Sequence, residues 1–175
     1  MSLSIGDPAP SFSLPSVAGG TQGLNGNAPA VVVFTCNHCP YALAWHDRIL
    51  DVARDAGVPF LLVNPNDAER YPRDSFEAMQ ERVEEDGGWP VPYLRDEDQS
   101  VARAYGARAT PDVFVIAADG TLAYRGAPDG DHSDPSQDAR WLRTAIDAVK
   151  QGRAPEPAET EPVGCSVKWK ARSAV

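Results

Sequence analysis

Two cysteines separated by two residues, in Cys36-Asn37-His38-Cys39, carry the strongest chemical signal in the chain. Thiols at this spacing meet across a helical turn as a disulfide, so one attacks a substrate disulfide and the other resolves the mixed disulfide. The residues before them, Val31-Val32-Val33-Phe34, read as a buried strand, and those after Pro40 as a helix. A thiol placed where a strand gives way to a helix meets unpaired N–H groups and the positive end of the helix dipole, which stabilise a thiolate. Cys36, nearer the helix terminus, is the candidate nucleophile, and Cys39, one turn inside, the candidate resolver. The same spacing forms half of a zinc site. No second CxxC or HxxxH is present, and further ligands have to come from Cys165, His38, His46 or His132. A metal-binding protein using Cys36 and Cys39 with His132 or Cys165 is therefore the reading from another class, while no resident metal or cofactor is assigned.

The elements that must hold this pair follow from hydrophobic pattern. Residues 5–25, with Pro8, Pro10, Pro15 and Gly19-Gly20, suggest a small hairpin laid against the body. After the strand at 30–35, apolar positions at Ala42, Trp45, Ile49, Ala53 and Ala56 make a helical stripe that Gly57 ends. Val58–Val63 is a second buried strand, followed by the polar loop NPNDAERYPRD and a helix over 75–86 that Ser75 or Asp74 would cap. A short extended piece at 91–94, a short helix at 98–105, two strands around Asp119-Gly120 and a helix from about Ser136 to Lys150 complete the order. Parallel strands linked by helices and finished by a hairpin and a helix make an α/β sandwich around a mixed sheet.

Composition narrows the class. A chain of 175 residues suits one domain with a core of its own. With 16 basic and 25 acidic side chains and a net charge of −9, nucleic acid is not an expected partner. Three unevenly placed cysteines do not make a secreted disulfide scaffold. The opening MSLSIGDPAPSF has no basic region followed by an apolar run, and no stretch is long enough to span a membrane, so a cytoplasmic location is expected. His46 is expected on the helix after the cysteines, and the DGDHSD loop around Asp129, Asp131, His132 and Asp134 is expected to be solvated rather than a calcium site. The tryptophans 45, 89, 141 and 169 read as core or tail anchors.

The strand ending in CxxC, the helix after it, the Thr110-Pro111 pair before a later strand and the closing hairpin plus helix resemble the thioredoxin superfamily. The opening GDPAPSFSL, the insertion after FLLVNPND, the stretch TPDVFVIAADGTLAYRG and the closing GCSVKWK are similar to its peroxiredoxin-like (AhpC/TSA-type) branch. The resemblance implies a three-layer thioredoxin-like sandwich with an N-terminal hairpin extension over residues 1–152. A Pro/Glu-rich extended tail over 153–175 would then carry Cys165. It implies attack by Cys36 and resolution by Cys39, with Pro111 as the cis-proline facing the disulfide. Thr110 and Pro111 would shape the docking surface, where backbone groups pair with an extended substrate.

Departures from the pattern sharpen the expectations. Thr35 stands where thioredoxins carry tryptophan, and the strand over 30–34 lacks their buried acid, so no general base is identified. Arg108 is the nearest candidate for a peroxidase arginine and precedes the Thr-Pro pair. His38 resembles the histidine of strongly oxidising members of the fold. An imidazolium beside a thiolate would raise the potential above the roughly −270 mV of thioredoxin. Cys165 is a second resolving thiol, a metal ligand or an unused thiol. The implied activity is thiol–disulfide exchange with a disulfide- or thiol-bearing protein or small thiol, and the alternative is a thiol peroxidase.

Overall fold

The structure, a computed structural model, describes residues 3–171. The apolar run before the cysteines becomes strand β3 (Ala30–Phe34), which has no exposed residue. A hairpin of β1 (Phe12–Pro15) and β2 (Thr21–Leu24) precedes it. After it come helix α1 (Pro40–Ala56), strand β4 (Phe60–Asn64), a 3₁₀ turn at Pro72–Asp74 and helix α2 (Phe76–Glu85). Strand β5 (Tyr93–Arg95), helix α3 (Ser100–Tyr105) and strands β6 (Ala109–Thr110), β7 (Asp112–Ile116) and β8 (Leu122–Gly126) follow. Helix α4 (Arg140–Lys150) and strand β9 (Cys165–Ser166) complete the order.

Five strands form one mixed sheet in the order β5-β4-β3-β7-β8. β3 pairs parallel with β4 and antiparallel with β7, which places the strand that leads into the cysteines at the centre. Its side chains alternate as a pleated strand requires. Val31 and Val33 face a layer that includes Trp45 and Ile49 of α1 and Leu142 and Ile146 of α4. Ala30, Val32 and Phe34 face Phe12, Leu24 and the α3 residues Ala102 and Tyr105. The mixed sheet lies between two covering layers, as the sequence pattern implies. Among the described residues no helix is long and apolar enough to cross a membrane.

Two local expectations change. The last helix starts at Arg140 rather than near Ser136, because Ser136 is held in a turn by Asp134 Oδ1, which accepts from its N–H and hydroxyl. The DGDHSD loop is not solvated throughout. Asp129 is buried and accepts from Trp45 Nε1 (2.8 Å), Arg48 Nη1 (2.9 Å) and Ala139 N (2.9 Å), and His132 packs on the rings of Tyr41 and Trp45.

The tail after α4 runs extended along the body. Thr160 accepts from Ala127 N and donates its own N–H to Arg125 O, and a Cβ on Gly126 would overlap it. β9 then pairs antiparallel with β6, in the register Ala109↔Ser166 and Thr110↔Cys165. Beyond it Val167 is buried, Lys168 N donates to Asn66 Oδ1 (2.9 Å), and Trp169 lies against the Arg103 guanidinium (4.5 Å). Residues 172–175 of the expected tail lie outside the described residues.

Candidate active site

Cys36 lies in the loop that leaves β3, and Cys39 is the residue that caps α1, with Pro40 in the first turn, where a missing N–H costs little. Both are free thiols and both are closed off, at 1% and 0% exposure, whereas the free thiol of Cys165 is half-buried. The three sulfur-bearing residues form one cluster with Ala42 and Tyr41. Thr110 faces the pair with both oxygens: its hydroxyl is 3.3 Å from Cys36 Sγ, and its carbonyl accepts from Cys39 Sγ at 3.2 Å. The Thr110–Pro111 peptide is cis. The edge beside Thr110 is not open for an extended substrate, because the chain's own Cys165 is paired to it.

Charge is unequal between the two thiols. The Cys39 thiol is held well below its ordinary range by the hydrogen bond from Cys36, against the cost of burial, with help from the Cys165 thiol and the nearby N–H groups of Ala42 and Cys165. The Cys36 thiol is pushed up by giving that bond and by burial, and the Asp74 carboxylate adds to the effect. The two thiols titrate as a pair that loses one proton readily and keeps the other. The sequence places the low-pKa thiol at Cys36. In the structure the bond from Cys36, not the helix terminus, is the first cause of the lowering at Cys39. Cys165 is pushed up to about 11 by burial and by its contact with Cys39.

A polar network beneath the motif fixes its middle residues. Asn37 donates its N–H to Asp74 Oδ1 (2.7 Å) and its side-chain amide to Arg73 O (2.7 Å), and its Oδ1 accepts from Tyr93 Oη (2.7 Å) and Arg82 Nη1 (2.9 Å). Arg82 also donates to Cys36 O (3.1 Å). His38 Nδ1 lies 2.6 Å from Asp74 Oδ2, and its ring stacks on Tyr71 with 3° between the planes. Asp74 is fully buried and also accepts from Asn64 Nδ2 (3.1 Å) and Asn66 Nδ2 (3.0 Å).

The ligand atoms of Cys36, His38 and Asp74 lie within 4.8 Å of one another. The Asp74 oxygens are already committed to three donors and lie against His38 Nδ1, which suits an anchor better than an open metal ligand. This set also differs from the one read from sequence, in which His132 or Cys165 joined the cysteine pair. Arg108 is exposed and lines a groove with Leu3, Gly106, Arg125 and Glu159, and among the described residues no guanidinium bonds either motif sulfur. Asp74, Arg82, Tyr93 and Asn64 are the site residues that sequence reasoning missed. Asp74 was visible only as a candidate helix cap, a role that Ser75 fills by accepting from Ala78 N.

A crystal structure of an uncharacterized conserved protein from Geobacillus kaustophilus is 37% identical, with a TM-score of 0.91 over 98% of this chain and 95% of that one. A hypothetical protein from Sinorhizobium meliloti 1021 is 32% identical, with a TM-score of 0.89 over 98% of both chains. The fold is shared with a secreted Mycobacterium tuberculosis disulfide oxidoreductase homologous to E. coli DsbE, at 22% identity and a TM-score of 0.59 over 78% of this chain and 95% of that one. Among curated proteins none matches the chain. The AhpC/TSA family model matches residues 5–125, and the chain belongs to that family of thioredoxin-fold redox proteins.

Proposed function

We propose that the protein is a thiol–disulfide oxidoreductase that exchanges its Cys36–Cys39 dithiol or disulfide with substrate disulfides or thiols. The observation that carries this reading is a pair of free, buried thiols two residues apart, both in contact with Thr110 ahead of the cis Pro111. In the reducing direction one cysteine of the pair, as a thiolate, attacks one sulfur of a substrate disulfide and expels the other as a thiolate, which takes up a proton. The second cysteine then gives up its proton and attacks the sulfur of the first. The mixed disulfide breaks, the second substrate thiol leaves, and two electrons have passed to the substrate. Thr110 lines both sulfurs, Pro111 follows it, and His38 tunes the pair through its link to Asp74. Disulfide- or thiol-bearing proteins and small thiols are the partners this chemistry fits.

The test is mass-spectrometric mapping of cysteine pairing across graded glutathione buffers, with peroxide-treated protein alongside. A reversible Cys36–Cys39 disulfide is the expected result and gives the potential directly. Rapid consumption of peroxide with a sulfenic acid at one cysteine would replace this reading with the thiol peroxidase.

A further inference from the structure

Cys36 and Cys39 are sealed from solvent, yet a redox pair must trade electrons with something outside. Cys165 alone of the three thiols is partly exposed, and it packs against the other two. Its place is fixed from both sides. β9 is hydrogen-bonded to β6 with Cys165 opposite Thr110, the residue whose two oxygens contact the motif sulfurs. Gly164 sits so close to the Thr110 carbonyl that a Cβ there would overlap it, so the strand docks only with glycine at that position. Downstream, Val167 is buried and Lys168 is tied to Asn66, Asp67 and Gln99. A tail that merely trailed past the site would need none of this.

We propose that Cys165 is the port through which reducing equivalents from a low-molecular-weight thiol reach the buried Cys36–Cys39 disulfide. The proposal rests on the oxidoreductase reading above. In the oxidised protein the Cys165 thiolate attacks Cys39 Sγ; the Cys36–Cys39 bond breaks, a Cys39–Cys165 bond forms, and Cys36 leaves as a thiolate that takes up the proton Cys165 lost. An external thiolate then attacks the exposed sulfur, that of Cys165, and expels Cys39. A second external thiol attacks the outer sulfur of the resulting mixed disulfide, releasing the external disulfide and the Cys165 thiol. Two external thiols are oxidised and one protein disulfide is reduced.

The electrostatics suit this order of steps. Part of what holds the Cys165 proton is the neighbouring Cys39 sulfur. Oxidation of Cys39 removes its charge, so Cys165 ionises more easily when there is a disulfide to attack. In the second step the leaving group is Cys39, whose thiol is held below its ordinary range, and low-pKa thiols leave fastest.

The experiment uses the full-length protein, oxidised with glutathione disulfide, and follows its reduction by glutathione in stopped flow with alkylation quench and mass spectrometry. The wild type should pass through a Cys39–Cys165 species, and Cys36→Ser should accumulate that disulfide. Cys165→Ser should still form the Cys36–Cys39 disulfide but lose it at least about tenfold more slowly, since direct attack must reach a closed sulfur. Gly164→Ala keeps all three thiols and should show the same slowing, because β9 no longer docks. Reduction of both variants at the wild-type rate, with Cys36→Ser yielding only a Cys39–glutathione adduct, would overturn the port and leave the oxidoreductase intact. Absence of a Cys36–Cys39 disulfide in wild type and Cys165→Ser alike would overturn the oxidoreductase reading, and the port with it.

Discussion

Thr110 serves the thiol pair with both of its oxygens, and only one of them comes from the side chain. Its hydroxyl lowers the cost of charge at Cys36, while its carbonyl is a backbone feature that any residue would supply. Thr110→Val keeps the shape and removes only the hydroxyl. A hydrogen bond to an ionised group is worth about 1.5–3 kcal/mol, so thiol–disulfide exchange at neutral pH should slow by about tenfold or more. An unchanged rate, measured against a small disulfide in stopped flow, would remove Thr110 from the chemistry. His38 acts differently, since its ring touches Asp74 rather than a sulfur. Asp74 opposes ionisation of Cys36, and the His38 ring, 2.6 Å from that carboxylate, takes up part of its influence. His38→Ala should therefore disfavour the reduced pair and lower its potential by about 30 mV, the equivalent of about 1.4 kcal/mol for two electrons. Equilibration with glutathione buffers reads this shift, and a potential equal to the wild type would end the role given to the ring.

Among the elements, the short 3₁₀ turn at Pro72–Asp74 does more for the site than its length suggests. It delivers a buried carboxylate under the motif, where Asn37, Asn64, Asn66 and His38 converge on it. Asp74→Ala would leave buried donors from three segments unpaired and should cost about 3 kcal/mol or more in urea unfolding, whereas an exposed aspartate such as Asp119 should cost little when replaced. None of this was legible in the sequence. The partners of Asp74 lie 8 to 37 residues away, and the loop NPNDAERYPRD looks like any polar connection. What was legible was local. The apolar run of β3, the stripe of α1 ended by Gly57 and the turn around Asp119-Gly120 each announce themselves within one element. The CxxC pair was found for the same reason. How its thiols are enclosed was not, because that depends on Thr110 and on a tail strand more than a hundred residues later. The composition of the tail predicts an extended chain but not its route, which is set by the close approach at Gly126 and Gly164 and by the burial of Val167.

At the scale of the whole molecule, two buried groups pull the stability in opposite directions between pH 4 and 6.5. His46 packs against Trp89 with its Nε2 unpartnered, and burial, aided by Arg82, pushes it down to about 4. Unfolding frees it to bind a proton at its ordinary value of about 6.5, so its contribution is present above that pH and is lost as pH falls to about 4. The gap corresponds to about 3 kcal/mol at most. Asp112 is buried beside β6 with Oδ1 unpartnered, and burial pushes it up to about 6, despite Arg125 at 4.0 Å and the Arg108 N–H bonded to its Oδ2. Here the folded state holds a proton that the unfolded state has released. Stability therefore rises as pH falls from about 6 toward 3.8, by a similar amount. The two slopes largely cancel in the wild type, which masks both. His46→Gln should unmask the carboxylate: relative to wild type its unfolding free energy should increase as pH drops from 6.5 to 4, by up to about 3 kcal/mol. Asp112→Asn should do the reverse, losing stability relative to wild type over the same range. Urea unfolding at half-unit pH steps resolves the difference curves, which are insensitive to the constant offset each substitution introduces at neutral pH. Two flat difference curves would mean that neither group is held away from its ordinary value, and that the burial of His46 and Asp112 is without electrostatic consequence.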